Sequence, residues 1–187
     1  MRIVPVILLA LAPLAAQVAR PVSATARVAA ARETAPPRVS LVELAKVSRA
    51  FDRDLQVFAP ADPVDVLGNT RGIYLEGFGA VFTTELSPIR TPGISPFRPN
   101  ITDEEKAAVR RRKLERLPAV EKLMTAMLAS TARELAALPD DQQIVLAVKF
   151  LYLPYEDTTG LPGQMVVKAS RRAIASGAPM EATVTNQ

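Results

Sequence analysis

Sixteen prolines in 187 residues break this chain into intervals of roughly 8 to 25 residues, and no regular element is expected to run through a break. Pro60 and Pro63 close one interval. Pro88, Pro92, Pro96 and Pro99 crowd into a loop, and Pro118, Pro139, Pro154 and Pro162 punctuate the rest. With 49% hydrophobic and 22% charged residues the chain has a globular balance, and its length suits one domain with a core of its own. The prolines therefore mark the limits of elements and loops rather than general disorder.

The N-terminus is read apart from the fold. Met1-Arg2 precedes an uncharged apolar run from Ile3 to Ala16, roughly 14 residues, the length of a signal-peptide core and short for a bilayer span. Pro5 and Pro13 disfavour a buried helix there. Ala24-Thr25-Ala26 offers cleavage before Arg27, with Ala29 to Ala31 as a second place, so 1–26 is expected to be a signal peptide and the alternative is an uncleaved anchor. No cysteine follows to carry a lipid. Residues 27–38, with Pro36-Pro37, read as a flexible linker. The expected location is periplasmic or secreted, with no transmembrane span in the mature chain.

Beyond the linker, a single domain is expected over 39–176. Ser40 with Glu43 forms a capping box, followed by apolar residues at helical spacing, which predicts a helix over about 40–57. Ile73 to Leu86 has the aromatic and β-branched content of strand, and Gly77 and Gly79 mark either a bulge or a tight turn between two strands. Tyr74, Phe78 and Phe82 would share one face. Thr102 with Glu105 opens a second helix, and Pro118 is expected to break it, so that Val120, Met124, Met127, Leu128, Leu135 and Leu138 line a third. Gln143 to Leu153 reads as a central strand covered on both faces, and Gln164 to Ala169 pairs back on it. Arg171-Arg172 start a short helix, and 177–187 is expected to be a disordered tail. The fold class is α+β: a small antiparallel sheet of three or four strands against two or three helices, in the order α, β (one or two), α, α, β, β.

Missing residue types exclude more chemistry than present ones suggest. With no histidine and no cysteine, the chain cannot build a Ser-His-Asp triad, a thiol nucleophile or a usual zinc site, and neither metal nor cofactor is expected. The formal charge of +4 falls to +2 once Arg2 and Arg20 are assigned to the leader, too weak to imply nucleic acid. Arg110-Arg111-Arg112-Lys113 with Arg116 could meet an anionic polymer, with Arg111 and Arg112 as binding candidates. Four consecutive side chains, however, spread over roughly 300° of a helix and read first as a solvated face. Gly77-x-Gly79 lacks the third glycine and the following helix of a phosphate loop. The remaining acid-base candidates are Glu76, Glu85, Glu156 and Asp157, weighed against ordinary turns and solvated acids. Aromatics at strand spacing read as core, leaving Tyr155 as the binding candidate among them.

Tyr74-Leu75-Glu76-Gly77-Phe78-Gly79-Ala80-Val81-Phe82 and Tyr155-Glu156-Asp157-Thr158-Thr159-Gly160-Leu161-Pro162 resemble segments of uncharacterised exported bacterial proteins, over about residues 70–170. The resemblance implies a leader and one α+β domain and brings no activity with it. Lacking chemistry, the chain is expected to be a non-catalytic binding or assembly module of the cell envelope, its partner an envelope protein or polymer, and the balance weighs against an enzyme. A carboxylate-dependent hydrolase acting on an envelope polymer is one alternative, and an oligomer built through a sheet edge is another.

Overall fold

A computed structural model describes residues 39–91, 93–96 and 100–186; the expected leader, the expected linker and part of the 88–100 loop lie outside the described residues. The predicted first helix is present as α1, Leu41–Val57. The Ser40 hydroxyl accepts from the Glu43 N–H, and the Glu43 carboxylate accepts from the Ser40 N–H at 2.8 Å. Leu44, Val47, Phe51 and Leu55 form its buried face, and Phe51 meets Phe82 edge-to-face with ring centroids 5.2 Å apart.

A two-residue strand β1, Asp65–Val66, leads to the hairpin of β2, Arg71–Leu75, and β3, Gly79–Ser87. The glycines resolve as a turn. Gly77 has a φ of +76°, and Gly79, at +139°, leaves no room for a side chain, because a Cβ there would lie 1.9 Å from the Gln143 carbonyl oxygen. Glu76 and Phe78 consequently sit exposed in the turn, while Tyr74 is half-buried and Phe82 buried, so the three aromatics do not act as one face.

Pro118 does not break the following helix. One element, α2, runs from Asp103 to Glu134 with Pro118 inside it, capped by Thr102 and Glu105 as expected. The proline survives because both sides are anchored: Lys113 upstream is buried, and Val120, Met124, Met127 and Leu128 downstream enter the core. Helix α2 ends before Leu135 and Leu138, which are buried in the turn beyond it. Two antiparallel helices would have returned the chain to the end of the sheet it had left. One long helix carries it to the other end, so β4, Gln143–Phe150, runs parallel to β3, from Gly79↔Gln143 to Leu86↔Phe150.

The sheet is therefore mixed rather than antiparallel, and larger than expected, with six strands in the order β1-β3-β4-β5-β6 and β2 also paired to β3. Strand β5, Pro162–Ser170, pairs back on β4 as anticipated, and α3, Arg171–Ala175, follows it. The segment expected to be a frayed tail instead contains β6, Glu181–Asn186, antiparallel to β5. Its alternating Thr and Val, which suit a pleated strand, find the open edge of β5. Ile144, Leu146, Val148 and Phe150 of β4 face the core; on the other face Val145 is buried, but Ala147 is half-buried and Lys149 exposed, so the described residues cover the central strand fully on one face only. The fold is α+β, with helices on one side of the sheet.

Candidate functional site

The basic run is a seam, not a solvated face. Arg110 donates from Nε to the Thr159 carbonyl at 2.7 Å and pairs with Asp157 at 3.5 Å. Arg112 pairs with Asp62 at 3.0 Å. Arg116 reaches the Asp62 backbone carbonyl, lies 3.3 Å from its carboxylate and rests over the Phe58 ring. Arg111 alone of the run's arginines is exposed with no ion pair among the described residues. Three of these side chains thus tie α2 to the loops before β1 and after β4.

Lys113 lies at the centre of this seam. Its side chain is 0% exposed and Glu156, its partner, 3% exposed, the two joined by a short ion pair. The ammonium also sits 4.8 Å from the centroid of the Tyr152 ring, whose hydroxyl donates to the Pro162 carbonyl at 2.7 Å. Burial pushes the Lys113 amine below its ordinary value, with Glu156 and then Asp65 opposing that shift. Burial and the Glu156 charge push the Tyr152 phenol up. A sealed lysine of this kind presents no amine to an incoming carbonyl, so it does not act as a nucleophile.

The four acid-base candidates go to four environments. Glu76 is in the β2–β3 turn. Glu85 is on the open sheet face, 3.8 Å from Lys149. Glu156 is sealed against Lys113. Asp157 closes an Asx turn by accepting the Thr159 N–H at 3.0 Å; hydrogen bonding from the Thr159 hydroxyl first and its N–H second, with a smaller contribution from Arg110, holds its carboxyl below the usual range. They are not gathered as acid-base partners around one substrate. Tyr155 is half-buried beside Glu156, in the wall of a small cavity of about 20 Å³.

An open hollow of about 360 Å³ lies beside α1, lined by Leu44, Ser48, Asp52, Thr70 and Gly72 among others. Two further concavities remain. One is a groove of about 380 Å³ on the open sheet face, where Arg71, Thr83, Glu85, Lys149 and Gln164 surround Ala147. The other, about 90 Å³, lies past the ends of β3 and β4 among Asp65, Ser87, Thr91, Leu151, Tyr152 and Glu156. No group of three or more acidic residues among the described residues could hold a metal ion.

Sequence reasoning read Lys113 as part of a solvated basic face and Tyr152 as a core aromatic, and it missed Asp65 and Thr91. A signal existed for Lys113: it extends the apolar stripe Leu117, Val120, Met124 backwards by four residues, so the helix must turn it inward. No local signal marks Asp65 or Thr91, which reach the cavity only through the tertiary fold. No protein-family model, curated protein or solved structure matches the chain.

Proposed function

We propose that this protein is a non-catalytic binding module of the cell envelope, periplasmic or secreted, whose ligand lies in the groove on the open face of the sheet. The observation that carries this reading is the groove itself: no helix among the described residues covers that face, and Arg71, Lys149, Glu85, Thr83 and Gln164 offer donors and acceptors around a small apolar floor at Ala147. Such a lining suits a hydrogen-bonding polymer segment better than a lipid. No helix among the described residues is long and apolar enough to cross a membrane, which is compatible with a domain working beside one. The hydrolase alternative draws less support, since none of the cavities described above is lined by two of Glu76, Glu85, Glu156 and Asp157.

The test is titration of the protein with soluble cell-wall fragments, followed by calorimetry and by amide shifts. Binding is expected to move Thr83, Ala147 and Lys149, and Ala147→Arg, which fills the groove without entering the core, should abolish it. Saturable binding that Ala147→Arg leaves intact would move the ligand elsewhere and end the groove reading.

A second reading has an observation of its own. Among the described residues strand β6 pairs only with β5, the side chains from Glu181 to Thr185 are exposed, and Glu181 is the strand's single charge. An edge so lightly protected supports assembly of copies by strand addition. A monomeric mass at high protein concentration would remove this reading.

A further inference from the structure

Strands β3 and β4 run parallel and end together, at Ser87 and Phe150, and the chain diverges beyond both. Crevices past the carboxyl ends of parallel strands are where open sheets with crossover helices place their ligands. Here that position holds the cavity of about 90 Å³. It is larger than one water requires. Leu67 and Leu153 in its wall are 48% and 40% exposed, so it has a mouth.

The polar groups in this wall are incompletely used. Glu156 gives Oε2 to Lys113, but its other oxygen, Oε1, is buried with no hydrogen-bond partner, on a side chain 97% buried. The Thr91 hydroxyl is a second buried atom without a partner, and both residues line this cavity as well as the smaller one beside Tyr155, which at about 20 Å³ is too small for more than water. Asp65 adds a second carboxylate to the same wall. Two carboxylates against the single Lys113 leave the centre formally one negative charge in excess. An unsatisfied buried carboxylate oxygen is costly, and the group that answers it must donate.

A primary ammonium carries three N–H donors, and Glu156 Oε1, the Asp65 carboxylate and the Thr91 hydroxyl are three acceptors. Leu67, Leu151, Leu153 and the Tyr152 ring supply apolar wall for a short alkyl stem. Calcium would want six to eight oxygen ligands, which this wall lacks. We infer that this cavity binds the ammonium group of a short aliphatic primary amine, either a free amine or the tip of a lysine side chain. The site is distinct from the groove and does not depend on it.

The experiment uses the full chain and n-propylammonium chloride, followed by amide shifts of Asp65, Thr91 and Glu156. Saturable binding of about millimolar strength is expected for so small a ligand. Propan-1-ol and potassium chloride should not reproduce the shifts. Asp65→Asn and Thr91→Val, which keep the Lys113–Glu156 pair, should each weaken binding about tenfold or more. Ala147→Arg should leave it unchanged. A Gly-Lys-Gly peptide that competes identifies a lysine side chain as ligand, and one that does not identifies a free amine. Equal binding of the alcohol, indifference to both substitutions, or a cavity holding only ordered water at saturating amine would each overturn the inference.

Discussion

Lys113 carries an ammonium on a side chain with no exposed surface. Taking its charge out of water is tolerable only because Glu156 and the Tyr152 ring are already in place, and the two carboxylates it faces were drawn from β1 and from the turn after β4. Lys113→Met is expected to destabilise the fold by about 3–5 kcal/mol, since it leaves Glu156 buried and alone, whereas Lys113→Met with Glu156→Leu should recover most of the loss. Urea unfolding of the two variants decides this, and equal losses in both would show that the pair's worth lies in shape rather than charge. The sign of the pH effect follows from the depressed amine. Lys113 favours the folded state fully only above its ordinary value of 10.5, and that contribution is lost as pH falls through the lower folded value. The stability gap between the parent and Lys113→Met should therefore widen in the parent's favour as pH rises through that alkaline window. A gap independent of pH there would mean that the amine is not depressed.

At the scale of elements, α2 decides the architecture. An internal proline removes one helical hydrogen bond and crowds the preceding turn, which costs about 3 kcal/mol, and a chain without tertiary anchors would break there. Here the seam from Arg110 to Arg116 holds one side and the core residues Val120 to Leu128 hold the other. Pro118 is exposed, so its ring contributes little packing. Pro118→Ala is expected to stabilise the protein by about 1–3 kcal/mol, read as a higher Tm with an unchanged circular dichroism spectrum. A lower Tm would show that the proline maintains a bend the sheet requires. The direction of β4 depends on the same continuity, because one helix between two strands makes them parallel and two would have made them antiparallel.

At the scale of the domain, the described helices close one face of the sheet, and no described helix covers the other face and no described strand pairs with the outer edge of β6. Strand β6 adds six registered pairs to β5, and at about 0.2–1 kcal/mol each they amount to about 1–6 kcal/mol. Removing residues 178–187 should cost a stability in that range, measured by thermal unfolding, and should raise light scattering as Val166 and Val167 lose their neighbour strand. A truncated chain as stable and as monodisperse as the parent would mean that β6 is not part of the working fold.

Local chemistry was legible where it acts within a few residues. Both capping boxes, the turn at Gly77 and Gly79, the β4–β5 pairing and the Asx turn at Asp157 follow from side chains that reach only their own backbone or the next turn. The α+β class and the absence of histidine and cysteine chemistry belong to the same level. What only the tertiary structure decided depends on contacts between residues more than 40 positions apart: Lys113 with Glu156, Arg110 with Thr159, Arg116 with Asp62. Those contacts overrode the local preference at Pro118, and with it the number of helices and the direction of β4. They also gathered Asp65, Thr91 and Glu156 around one cavity. A propensity acts through the backbone of a single segment, whereas a buried charge must find its partner wherever the fold delivers one.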